Sequence, residues 1–288
     1  MSEERIIPPS ELILVNDRVY HLNLHPEQVA DTIIVVGDPD RVPKVSAHFD
    51  KIDFQVGSRE LVTHTGSVGG KRLSVMSSGM GTDNVELLMT ELDALVNVDL
   101  STRTVKKDLT KLDIIRIGTS GCLQPDIPLD ALLASTCALG LDTLMEFHEW
   151  EHDTESDKLV TRMQEQLSLS FKPYFAKASE SLLAKFSDDL WEGITITCPG
   201  FYAPQGRAIR LKPRVGNMLD VLTHAQTPFG RFTNFEMETA GYYAMARMLG
   251  HEMLSLNALI ANRARTEFSE NAGKAVDGLI QKVFEVIT

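Results

Sequence analysis

Three cysteines, Cys122, Cys137 and Cys198, are all that the chain contains. Their odd number and long spacings fit neither a disulfide framework nor a metal-ligand pattern, and they point to a reducing cytoplasm. The sequence nowhere holds the ~18 consecutive apolar residues that a membrane helix needs. The first residues mix Glu3, Glu4, Pro8 and Pro9 where a signal peptide requires an apolar run. Basic residues are also scarce: 28 Lys and Arg against 40 Asp and Glu leave a formal charge of −12. That balance argues against nucleic acid as a partner, so any anionic ligand must be held by a few local arginines. No internal repeat, low-complexity tract or linker interrupts the 288 residues, which are 43% hydrophobic and 24% charged. A single packed domain spanning residues 1–288 is expected.

Against this background the stretch Thr233-Asn234-Phe235-Glu236-Met237-Glu238-Thr239 stands out, because it puts two carboxylates at the mouth of an apolar helix. Residues two apart on a regular helix point to nearly opposite sides, so Glu236 and Glu238 can share a ligand only if residues 235–238 are extended or turned. The helix then starts near Thr239 and stops at Gly250. Two neighbouring carboxylates could accept the hydroxyl hydrogen bonds of a small polyol such as a sugar. The competing reading is a capping box, Thr233-x-x-Glu236, in which Glu236 only satisfies helix amides.

Several strand ends carry comparable signals. The apolar run Thr32-Ile33-Ile34-Val35-Val36 reads as a buried strand and delivers Gly37-Asp38-Pro39-Asp40-Arg41, a turn, an N-cap and an arginine at a helix start. A β-meander follows, with Arg59 as a solvated strand charge by default and Gly69-Gly70 as a hairpin turn. Gly79-Met80-Gly81-Thr82-Asp83-Asn84 then opens a helix from about Val85 to Val96. Residues 97–111 read as a polar surface excursion. The strand 112–117 carries Arg116 and ends in Gly118-Thr119-Ser120-Gly121; a buried arginine there needs an anion or a carboxylate, Asp126 and Asp130 being the structural candidates. Residues 131–136 and 193–198 read as strands and 178–186 as a helix, whereas residues 142–177 give no clear pattern. The loop after the second of these strands holds Phe201, Gln205 and Arg207, which supply a stacking face, a mixed donor and acceptor, and a donor fork suited to the edge of a planar polar ring. A last core strand over residues 253–260 leads to Asn262 and Arg263, then a flexible loop over 264–270 and a closing amphipathic helix over 275–287. Strands alternating with helices, with polar loops at the strand ends, describe an α/β fold that binds ligands there.

Four of these motifs in this order, Gly37 to Arg41, Arg116 to Gly121, Phe201 to Arg207 and Phe235 to Glu238, resemble the nucleoside phosphorylase superfamily and within it the uridine phosphorylases. The likeness runs from His21 to about Arg263. It implies a central mixed β-sheet, partly barrel-like, flanked by α-helices. It implies a phosphate site of Gly37, Arg41, Arg116 and Thr119, with Arg59 reaching into a neighbouring subunit. It implies ribose held by Glu236, Met237 and Glu238, with His21 arriving across a dimer interface at the 5′-hydroxyl. The base would meet Phe201, Gln205, Arg207, Ile260 and Arg263.

The implied activity is phosphorolysis of uridine with phosphate as co-substrate, without metal or redox cofactor, by a homodimer or a hexamer of dimers. Arg116, Gln205, Arg207 and Glu238 carry the chemistry in that reading. Purine-preferring phosphorylases and nucleosidases of this fold place an aspartate after the last core strand, whereas residues 258–265 here contain no acid. A hydrolytic nucleosidase, which has no use for the arginines, and a catalytically silent nucleoside-binding protein are the alternatives. Asn84 stands where many relatives have serine, which bears on the monovalent cation that some of them bind with the help of the residue matching Glu60.

Overall fold

The computed structural model describes residues 5–186 and 190–288. Its principal strands are β1 (Thr32–Val36), β2 (Lys51–Ser58), β3 (Leu61–Val68), β4 (Lys71–Ser77), β5 (Asp113–Cys122), β6 (Leu132–Gly140), β7 (Tyr174–Lys177), β8 (Trp191–Thr197), β9 (Phe232–Glu236), β10 (Glu252–Asn262) and the short β11 (Glu267–Phe268). The long helices are α1 (Thr82–Asn97), α2 (Thr154–Gln166), α3 (Thr239–Leu249) and α4 (Ala272–Ile287).

One mixed sheet joins all eleven strands in the order β11-β10-β6-β8-β9-β5-β1-β4-β3-β2, with β7 beside β6. A further pairing of β10 with β5 closes β5, β10, β6, β8 and β9 into a ring, so a five-stranded barrel continues into an open wing. The wing is the expected meander, and Gly69 and Gly70, both at positive φ, make its two-residue turn. Helices α1 and α3 cover one face, and α3 is buried from Thr239 to Ala246. Helix α4 lays Val276, Leu279, Ile280, Val283 and Phe284 against the other, a stripe at helical spacing.

Strand β5 connects the two parts and departs from expectation. The run Gly118-Thr119-Ser120-Gly121 does not end the strand, which continues to Cys122 because β10 pairs with it along its whole length. On its other edge β5 pairs with β1 only as far as Ile117 and with β9 only from Gly121. Residues 118–120 are therefore uncovered on that edge, where the chain changes neighbours, and such a switch point is where open α/β sheets bind ligands.

Other expectations shift similarly. The excursion at residues 97–111 folds into a small hairpin pairing Val98–Asp99 with Thr104–Val105, and Arg103 ties it to the N-terminal segment at Ile7. The loop over 264–270 contains β11. The unpatterned stretch 142–177 holds α2, whose buried face is only Ser156, Leu159, Val160 and Met163.

Candidate functional site

Beside the uncovered edge of β5 lies a cavity of about 920 Å³. It is lined by Gly37 and Arg41 from the end of β1, by Arg116 and Thr119 from β5, and by Glu236, Met237 and Glu238 between β9 and α3. Phe201, Gln205 and Arg207 from the loop after β8, with Ile260 and Arg263 from the end of β10, complete it. Motifs from opposite ends of the sequence, Gly37 and Arg263 among them, thus share one concavity, as the strand-end reading expects.

Arg116 is 3% exposed. Its Nη2 donates to Glu238 Oε2 at 2.6 Å and lies 3.3 Å from Glu236 Oε2, so its partners are these two carboxylates and not Asp126 or Asp130. Asp126 pairs with Arg231, and Asp130 accepts from Ser269. Burial pulls the Arg116 pKa down, but Glu236 and Glu238 outweigh it and raise it. The guanidinium lies across Gly118, where an added Cβ would stand 2.0 Å from Nη1. Arg116 Nε is buried and has no acceptor among the described residues, and Nη1 has only contacts of 3.4 Å, to Ser255 and Asn257. A buried guanidinium in this state retains donor capacity for an anion.

The two acids divide their tasks. Residues 235–238 are extended and then turned as expected, and α3 runs from Thr239 to a left-handed Gly250. Thr233, however, sits inside β9 and donates to Ile194 O, so it is not a helix cap. Glu236 fills its oxygens with Thr197 Oγ1, the backbone amides of Glu238 and Thr239, and Thr239 Oγ1. Its carboxylate lines the cavity but is also engaged by the start of α3, so the two acids are not equivalent. Among the described residues Glu238 accepts only from Gly81 N at 2.7 Å and from Arg116. Burial, with the neighbouring charge of Glu236, raises the Glu238 pKa above the ordinary range although Arg116 opposes the shift.

Arg41 donates to Ile117 O at 3.1 Å, which directs it to the uncovered edge of β5, and Asp38 caps the turn Pro39–Arg41 by accepting from Asp40 N. Burial lowers the Arg41 pKa and the Arg116 charge adds to the effect. In the loop after β8, Arg207 Nη1 donates to Phe201 O and Gln205 Oε1, both at 2.6 Å, and its guanidinium carbon stands 3.8 Å from the centre of the Phe201 ring. Burial and the Arg263 charge lower the Arg207 pKa to about 10, which leaves it cationic at neutral pH. Arg263 holds the loop by donating to Gln205 O at 3.0 Å. Phe268 on β11 and Met80 also line the cavity. Sequence reasoning missed both, because an exposed aromatic in a polar loop and a Met between glycines carry no pattern of their own.

His21 and Arg59 do not line this cavity. The Tyr20 ring lies 4.8 Å from that of His21, and the Arg59 guanidinium carbon is 5.9 Å from the centre of the Tyr20 ring, so the three form a group on the surface. Arg59 and Glu60 are the two-residue turn between β2 and β3, and Arg59 takes a left-handed φ of 55° that an arginine adopts only at a cost. Glu60 lines the cavity while Arg59 joins the outer group. Asn84 Nδ2 is 3.4 Å from Glu60 Oε1.

The phosphorylase superfamily model matches residues 31–288. Among individual proteins, the uridine phosphorylase of Thermococcus kodakarensis is 31% identical over 88% of this chain and 81% of its own. A DeoD-type purine nucleoside phosphorylase of Chromobacterium violaceum is 28% identical over 91% and 98%. A crystal structure of a Trypanosoma brucei nucleoside phosphorylase, described as showing uridine phosphorylase activity, superposes with a TM-score of 0.86 at 26% identity and covers 94% of this chain and 98% of that one. With the barrel, the strand-end arginines and the match from residue 31 to the last residue in agreement, the chain belongs to the phosphorylase superfamily.

Proposed function

We propose that the chain is a uridine phosphorylase, a pentosyltransferase that moves the ribosyl group of uridine to phosphate and releases uracil. The observation that carries the reading is the shared cavity: a buried arginine with spare donors and a carboxylate beside it, together with a Gln–Arg–Phe loop suited to a planar base. Uridine phosphorylases among the relatives, and the lack of an acid over residues 258–265, favour uridine over a purine nucleoside.

In this reading the backbone at Gly37 with Arg41, Arg116 and Thr119 holds phosphate, joined by Arg59 from a second subunit. Glu238 and Met237 hold the ribose, and Glu236 contributes by fixing the turn that aims Glu238. Gln205 and Arg207 face the uracil edge, Phe201 packs on its ring, and Ile260 and Arg263 close the base side. As the glycosidic bond lengthens, positive charge grows on the ribose and negative charge on the base. The phosphate dianion stabilises the first; Gln205 and the Arg207 cation stabilise the second. Phosphate then attacks C1′ with inversion. No metal or redox cofactor is needed.

The subunit that supplies Arg59 also supplies His21, and this is supported by the turn that sends Glu60 into its own cavity and Arg59 outward. At least a homodimer follows. The test is uracil release from uridine, followed by ultraviolet absorbance, with and without phosphate; an unchanged rate in phosphate-free buffer would overturn the reading, as would tight uridine binding without turnover. A panel of uridine, thymidine, deoxyuridine and inosine measures base and sugar stringency.

A further inference from the structure

Glu91 lies on α1, is 7% exposed, and points to no part of the cavity described above. A buried carboxylate is costly unless its oxygens are occupied. Among the described residues its hydrogen-bond partners all belong to one short segment: the backbone amide of His21 at 3.0 Å, that of Leu22 at 2.8 Å, and the His21 ring nitrogen Nδ1 at 2.7 Å. Leu22 beside it is 1% exposed and anchors the segment in the core. The His21 side chain is 29% exposed, so with Nδ1 engaged the ring stays reachable from outside its own chain while its base is fixed.

We propose that Glu91 is the positioning residue of His21: it clamps the backbone, draws the ring hydrogen onto Nδ1 and leaves Nε2 as the atom offered to the 5′-hydroxyl in the neighbouring subunit's site. The proposal rests on the reading that His21 serves that hydroxyl. The carboxylate accepts and cannot donate, so the hydrogen of a neutral imidazole must sit on Nδ1 for the 2.7 Å contact to be a hydrogen bond. Nε2 then carries a lone pair, and the neutral ring accepts from the 5′-hydroxyl. Substrates able to donate at that position are favoured. Uridine qualifies, whereas 5′-deoxyuridine and 5′-O-methyluridine do not.

Two measurements test this on the full-length protein. Nitrogen-15 NMR of the unaltered protein at the pH of the assay reads the His21 ring without any assay of activity; a hydrogen on Nδ1 with a bare Nε2 is expected, and any other state of the ring overturns the proposal. The second compares Glu91→Gln, which keeps size but places an amide against the donors, with His21→Ala and the double variant. Glu91→Gln is expected to lower kcat/KM for uridine about tenfold, the scale of coupling between contacting groups. It should lower kcat/KM for 5′-deoxyuridine or 5′-O-methyluridine less than about twofold, and add nothing in the His21→Ala background. Equal losses on all three substrates, or losses that multiply in the double variant, overturn the proposal by marking Glu91 as structural. If Glu91→Gln does not fold, Glu91→Asp takes its place in the same comparison. Failure of the functional reading is seen separately, as absence of phosphate-dependent uracil release by the unaltered protein.

Discussion

The two halves of the cavity are built on different principles. Arg116, Glu236 and Glu238 sit on a strand or at a helix start, are at most 5% exposed, and are held by one another or by backbone amides. Around Phe201, Gln205 and Arg207 the groups sit on a loop, Phe201 is 51% exposed although Gln205 is buried, and the loop is held by Arg207 within it and by Arg263 from β10. The first half is therefore bound up with folding, since removing one buried charge strands the others. The second can change with little effect on the core. Chemistry common to the superfamily would reside in the first, and choice of base in the second.

The largest test of that contrast is Arg116→Ala. It leaves two buried carboxylates without their cation and should cost about 3–5 kcal/mol of stability in denaturant unfolding, together with a loss of turnover beyond about 10²-fold. Arg116→Lys should rescue little, because an ammonium lacks the fork. Next is Arg207→Ala, expected to lower kcat on uridine by about 10²–10³-fold while changing stability by less than about 1 kcal/mol and leaving phosphate affinity nearly untouched. A stability loss as large as that of Arg116→Ala would erase the distinction between the halves. Gly118→Ala is smaller still: the new methyl displaces the Arg116 guanidinium, so activity should fall about tenfold or more with a stability loss of about 1–3 kcal/mol.

A pH series sharpens the same comparison. Glu238 has a raised pKa, so the folded state holds its proton more tightly than the unfolded state does. Its contribution to stability is present at low pH and is lost as pH rises through the folded-state value. Activity runs the other way if the ionised carboxylate binds ribose: kcat/KM should fall on acidification at a pH above the ordinary glutamate range. An acid limb within the ordinary range would remove Glu238 from the role.

Much of the site was legible because its signals are local. Gly37 to Arg41, the turn of Glu236 to Glu238, and the loop of Phe201 to Arg207 each announce themselves within a few residues. What was not legible depends on pairing across the chain. Gly118-Thr119-Ser120-Gly121 has turn composition, and only the ladder with Asn257, Ala258 and Leu259 keeps it extended. The partners of Arg116 lie more than 100 residues away, whereas the sequence around it offers only nearby aspartates. Helix α2 was hidden because three apolar residues in thirteen give too weak a period to read.

The turn of Arg59 and Glu60 carries one more consequence. Its two residues serve opposite sides, one the cavity of its own chain and the other the outer surface, and side chains along the flanking strands alternate with a period of two. Inserting or deleting a single residue there would replace the two-residue turn by one of another backbone type and re-aim both side chains. The length of this hairpin is thus as tightly constrained as its composition, and among related chains a gap at this turn would mark a change in how the subunits share their sites.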